Sequence, residues 1–337
     1  MAIDALQSKM IAWLRFPLMV GVVFIHAPIN NIAENQAGIS RMVWLLFSDI
    51  IPRMAVPLFF FISAFLFFYG MELTWNSHKK KLKSRFRSLF IPYLLWNIIL
   101  IGIYFMETYF QTSKSFGEIL ATFGKNDYYR VAAQMWFLRD LMLMVVLAPF
   151  IGLAIRYLKY YWILLLFAVW YSGLWNLSWG SHLTEALFFF SCGAYVGMRK
   201  LNITDLFPKK HLIAYVLLYL LLITVDLLGT DMAYRMYVHR MSIILGCIVM
   251  IYIARLWTEK SNSQNNFLAE AAFFVYAAHI VLLNYFNAAL SRFADSESST
   301  IAIYFGVIFL AVMSSLLIFW FCKKYFRRTT MILMGGR

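Results

Sequence analysis

The sequence predicts an all-α, polytopic transmembrane helix bundle of about ten spans. Three observations carry this prediction. Of 337 residues, 62% are hydrophobic and only 14% charged, against about 45–50% and about 25% in average soluble domains. Apolar runs long enough to cross a bilayer recur from end to end. Runs such as "YVLLYLLLITV" and "IAIYFGVIFLAVMSSLLIFWF" do not alternate, as the strands of a membrane barrel would.

The first span is read over 11–31. Its apolar run is long, and "FIHAPIN" lacks a small-x-small cleavage site, so the span is expected to stay in the mature chain. Further spans are read over 43–70, 88–107, 135–155, 161–177, 183–198, 211–229, 236–257, 267–290 and 300–322, the sixth being short. An even number of spans puts both termini on one side. If that side is the cytoplasm, 20 of the 30 Lys and Arg residues fall on inner segments, which predicts N-in and C-in. The net charge of +14 thus belongs to short inner loops and does not point to nucleic acid.

The longest loop, 107–134, is read as external, and no loop is large enough for a soluble domain. No repeat period or low-complexity tract appears. The chain is read as one integral domain, 1–337, closing in a short basic cytoplasmic tail over 323–337 that faces anionic lipid. Cys192, Cys247 and Cys322 lie inside apolar segments without zinc-ligand spacing and read as small core hydrophobes.

The first span also carries two ionisable residues, Arg15 and His26. Eleven residues at 100° each come to within about 20° of three full turns, so the two share a face, separated by roughly 16 Å along the axis. Arg15 is read near the cytoplasmic mouth. It either snorkels to headgroups or serves the site. His26 is read deeper. It either bonds a neighbouring helix or marks a substrate path. Pro17 falls in the first turns, where proline is tolerated, and Pro28 is expected to kink or end the helix.

In the second span, "RMAVPLFFFISAFLFFYG", Pro57 breaks the ladder, and Ser63 and Ala64 allow close helix approach. The run "HKKKLKSRFR" places Lys83, Arg85 and Arg87 at the head of the third span. It reads as a positive-inside flank or as an anion site for phosphates. The fourth span opens with "QMWFLRDL", where Arg139 and Asp140 form a candidate interfacial pair and Trp136 a candidate belt anchor. In the ninth, Tyr276 and His279 share a face at i,i+3. They read equally as a structural contact or as part of a site.

Together these pieces resemble the acyltransferase 3 family of membrane-bound acyltransferases. The matching elements, in order, are Arg15 with His26, "VPLFFFISAFL", the basic run into "IPYLLW", "WFLRDL", "GAYVG" at Gly193–Gly197 and "YAAHIVLL". The chain departs from the family pattern at Ala64, where glycine is common. It departs again at the i,i+2 spacing of Arg85 and Arg87, and at Gln134, where histidine is common.

The resemblance implies transfer of an acyl group, most often acetyl, from cytoplasmic acyl-CoA to a hydroxyl of a lipid-linked or surface glycan. It implies a bacterial cytoplasmic membrane location; no metal is expected, because the sequence carries no metal motif. Arg15, Arg85, Arg87 and Lys83 would then hold CoA phosphates. His26 would be either general base or covalent acyl carrier. Ser63, Trp136, Gln134, Tyr276 and His279 are the supporting candidates. His78, His182, His211 and His239 lie near span ends and are assigned no role. The competing reading is a transporter or flippase, but no inverted repeat of broken spans is present.

Overall fold

The structure is a computed structural model that describes residues 3–27, 38–112, 114–124, 128, 131–173, 182–229, 232–261 and 266–336. Among them the chain is helical, with no strand. The helices are α1 (Ala5–Ile25), α2 (Ile39–Phe68), α3 (Trp75–Thr112), α4 (Phe116–Thr122), α5 (Ala133–Leu158) and α6 (Tyr160–Ser172). There follow α7 (His182–Met198), α8 (Leu212–Leu228), α9 (Met232–Lys260), α10 (Asn266–Leu290), α11 (Glu297–Tyr325) and α12 (Arg327–Leu333).

Among the described residues, eight helical runs are long and apolar enough to cross a membrane. The predicted fifth and sixth spans are the shorter helices α6 and α7, of 13 and 17 residues. The ten predicted spans therefore all correspond to helices, two of them below full crossing length. Their outer faces expose large apolar side chains such as Leu217, Leu221, Phe309 and Leu317, as a lipid-facing surface must. The interior is packed with Phe60, Phe65, Phe67, Phe68 and Phe190.

Several boundaries differ from the sequence reading. The first helix starts at Ala5 and ends at Ile25. Its first turns, "ALQSKM", are good helix formers that precede the apolar run. Its end falls just before Ala27, which the following proline steers away from helical geometry. Pro28 itself lies outside the described residues. Pro17 consequently sits well inside α1 rather than in its first turns.

The break expected at Pro57 is displaced upstream. Leu45–Ile50 form a π turn and Ile51–Met54 a 3-10 turn, after which α geometry resumes at Ala55. Pro57 thus occupies the first turn of a restarted helix, where its missing N–H is harmless. The same device recurs in α3, where the π turn Phe86–Phe90 precedes Pro92. The basic run 79–87 is therefore helical rather than a loop.

The external segment read over 107–134 contains α4, opened by a capping box between Ser115 and Glu118. The terminal segment does not trail freely: α12 folds back on α3. Trp96 Nε1 donates to the Leu333 carbonyl at 3.1 Å. Gly335, at φ +70°, lies so close to α3 that a Cβ there would stand 2.3 Å from the Ser88 oxygen.

Helices α7 and α2 approach each other closely. "GAYVG" sets Gly193 and Gly197 four apart on one face of α7. A Cβ at Gly193 would lie 2.0 Å from the Phe61 oxygen, and one at Gly197 would lie 2.7 Å from the Phe65 oxygen. Glycine here permits backbone-to-backbone contact between two spans, the small-xxx-small arrangement.

Candidate active site

Two cavities lie end to end along one face of α1. The first, about 150 Å³, is lined by Arg15 and Met19 of α1, Phe59 and Ser63 of α2, Arg85 of α3, Phe137 of α5, and Glu270 and Tyr276 of α10. The second, about 130 Å³, holds His26, Arg53, Gln134, Trp136, His182 and Glu185. Met19, Phe59, Phe137 and Tyr276 belong to the walls of both. These four side chains form a septum between an arginine chamber and a histidine chamber.

The helical arithmetic explains the placement of Arg15 and His26. They share a face of α1, and Met19 and Val22 continue that face between them. His26 lies deeper than Arg15, as read from the sequence, but at the end of the helix rather than within it. It is the C-cap of α1, its backbone N–H reaching the Val22 carbonyl at 3.3 Å.

The late pair lies directly against it. The His26 and His279 rings are 5.2 Å apart, and His279 is fully buried. His279 Nδ1 lies 2.6 Å from the Tyr276 carbonyl. A carbonyl only accepts, so Nδ1 carries the hydrogen and Nε2 the lone pair. That Nε2 is buried and has no hydrogen-bond partner among the described residues.

Gln134 is fixed by the same logic. Its Nε2 donates to the Ala277 carbonyl at 2.9 Å, and Tyr276 Oη donates to the Gln134 carbonyl at 2.6 Å. This reciprocal bridge ties the first turn of α5 to α10. It leaves Gln134 Oε1 as a buried acceptor without a partner among the described residues. Arg53 supplies the complementary donor: its Nη2 pairs with Asp49 at 2.8 Å, while its buried Nε is unpaired among the described residues. Unsatisfied buried polar atoms are costly and are kept where a ligand satisfies them. Two of them here belong to residues lining the chamber that contains His26.

Charged residues behind Arg53 hold it. Asp49 also accepts from Arg235 Nη2 at 3.2 Å, and Arg235 Nε donates to Asp226 at 2.9 Å. Asp226 is fully buried, and its other oxygen faces His239 Nδ1 at 2.7 Å. Trp136 stacks on His182 with centroids 4.4 Å apart. Arg139 pairs with the buried Asp140 at 2.8 Å, away from either chamber wall.

The sequence candidates thus divide. Arg15, His26, Ser63, Arg85, Gln134, Trp136 and Tyr276 line the chambers, and His279 stands behind His26. Lys83 and Arg87 are exposed and line neither chamber. The helix explains why, since residues two apart point to nearly opposite sides. Sequence reasoning missed Arg53 and Glu185 and gave His182 no role. Arg53 and Glu185 are ionisable residues inside apolar spans, the signal that singled out Arg15 and His26. Among the described residues, no three His, Cys, Asp or Glu side chains are grouped to hold a metal ion.

Fold and site together define an integral-membrane helix bundle with a buried, hydrogen-bonding histidine chamber and an adjoining cationic one. The chain matches the acyltransferase domain family over residues 9–320 and belongs to that family. It is similar to the succinoglycan biosynthesis protein ExoH of Rhizobium meliloti (strain 1021), 29% identical over 217 residues. That match covers 59% of this chain and 56% of the relative, little more than half of its length. No solved structure matches.

Proposed function

We propose that this protein transfers a short acyl group, acetyl in the simplest case, from acyl-CoA to a sugar hydroxyl of a polysaccharide or its lipid-linked precursor. The observation that carries this reading is the pair of abutting chambers, with guanidinium groups in one, His26 in the other and one thin septum between. A polyanionic donor suits the Arg15–Arg85 chamber, because arginine forks match phosphate oxygens. A neutral, hydroxyl-rich acceptor suits the histidine chamber. Trp136 offers it an apolar face and Gln134 Oε1 an acceptor. The succinoglycan role named for the relative supports a glycan acceptor.

In this reading His26 is the general base. Its imidazole lies on the chamber wall, packed against the His279 ring, and serves there as the base. It takes the hydroxyl proton as the sugar oxygen attacks the thioester carbonyl. Arg53 Nε lies in the same chamber to stabilise the oxyanion. The carbon–sulfur bond then breaks, and the CoA thiolate recovers the proton from the imidazolium. Products are the sugar ester and free CoA thiol. With the arginine chamber facing the cytoplasm, the donor is cytoplasmic and both termini lie inside.

The test uses purified protein in nanodiscs with acetyl-CoA and an exopolysaccharide oligosaccharide. Acceptor-dependent thiol release, with a matching mass gain on the glycan, is expected. Transport of an unmodified glycolipid with no thiol release would establish the transporter reading instead.

A further inference from the structure

Glu270 stands between the arginine chamber and a third cavity that the reaction above leaves unused. This cavity, about 150 Å³, is lined by Glu270, Lys323, Arg327, Thr330, Met331 and Met334. Lys323 Nζ pairs with the Glu270 carboxylate. Arg327 has no ion-pair partner among the described residues. The two cavities therefore place four cations, Arg15, Arg85, Lys323 and Arg327, around a single carboxylate. Pairing with Lys323 neutralises Glu270, so the surplus positive charge remains available to an anion.

The segment that carries Arg327 is held in place beside the arginine chamber. Leu333 accepts from Trp96, and Gly335 lies on Ser88, three residues after Arg85. Thr330 and Met334 are buried beneath it. The C-terminal segment is thereby a fixed wall next to the donor chamber.

We propose that Lys323 and Arg327 form a second anion subsite, which takes the 3′-phosphate of the CoA adenosine. This rests on the acyl-CoA reading and extends it. Acyl-CoA carries two separated anionic groups, a diphosphate joined to the pantetheine arm and a ribose 3′-phosphate beyond it. Arg15 and Arg85 flank the route past Ser63 and Tyr276 to His26, so the nearer diphosphate belongs to them. The farther monophosphate then reaches the adjoining cavity, where Arg327 presents unpaired donors and Lys323 adds a point charge.

The experiment compares acetyl-CoA with dephospho-acetyl-CoA, which lacks only the 3′-phosphate. Binding of each is measured for the wild type, Arg327→Ala, Lys323→Ala and, as a control, Arg328→Ala, a neighbour outside the cavity lining. The wild type and the control should prefer acetyl-CoA by about tenfold or more, the effect of one charged hydrogen bond. Arg327→Ala should lose most of that preference while keeping wild-type affinity for the dephospho donor; Lys323→Ala should lose it too and bind both donors more weakly, because Glu270 beside Arg15 and Arg85 is left unpaired. Full discrimination by Arg327→Ala, an equal loss of both donors by that variant, or no discrimination by the wild type would overturn the subsite. A wild-type protein that binds acetyl-CoA but does not discriminate rejects the subsite alone. One that binds neither donor rejects the acyl-CoA reading and the subsite with it.

Discussion

Replacing Gly193 by alanine would put a methyl carbon 2.0 Å from the Phe61 carbonyl oxygen, where real Cβ contacts essentially never fall below 3.0 Å. The obstructing atom is backbone, so no side chain can rotate away. Helices α7 and α2 must part by about 1 Å, and overpacking of this kind costs about 1–3 kcal/mol. The functional loss should exceed the loss of stability. Helix α2 brings Val56 and Phe59 to the histidine chamber, and α7 brings His182 and Glu185. A displacement of about 1 Å in a reacting geometry costs on the order of 10²-fold in rate. Gly197→Ala is the internal comparison, because its nearest obstruction lies at 2.7 Å and only a few tenths of an ångström must open. Thermal unfolding in detergent and acyl transfer should both rank the wild type first, Gly197→Ala second and Gly193→Ala last. Wild-type melting and transfer by Gly193→Ala, or a larger loss from Gly197→Ala, would refute the argument that this contact sets the chamber.

Arg85→Ala should weaken acyl-CoA binding by about tenfold to a hundredfold, while Arg87→Ala, on the exposed side of the same helix, should leave it near wild type; isothermal titration separates the two. Asp226→Ala strands His239, leaves Arg235 with Asp49 alone and should cost about 3–5 kcal/mol, read as a fall in denaturant midpoint, with weaker turnover because the network behind Arg53 loosens. A reporter fused after Lys83 should report the cytoplasm and one fused after Lys114 the exterior, and the reverse pattern would invert the proposed orientation.

Much of this architecture was legible in the residues. The apolar runs located every spanning helix, because in a bilayer the backbone must satisfy itself and composition leaves little choice. The 100° periodicity placed Arg15 and His26 on one face, and they open onto adjoining chambers. Boundaries were less legible. Helix α1 begins six residues before its apolar run because helix propensity, not hydrophobicity, governs "ALQSKM". The break near Pro57 moved upstream because a π turn and a 3-10 turn absorbed it. At the site, Arg85 and Arg87 are indistinguishable by residue type, and only the helix that carries them separates lining from surface. Arg53 and Glu185 went unremarked although each breaks an apolar span. Their partners, Asp49 and the His26 chamber, come together only through tertiary packing. The small residues of "GAYVG" gave a motif, but not which backbone they would meet.

The most direct measurement is the transfer activity of His26→Ala, made in protein shown by melting and acyl-CoA binding to be folded. Wild-type donor binding is expected, with transfer reduced by about 10²–10⁴-fold, the scale of a lost general base. Near-normal transfer by that variant would contradict the role of His26 as the base.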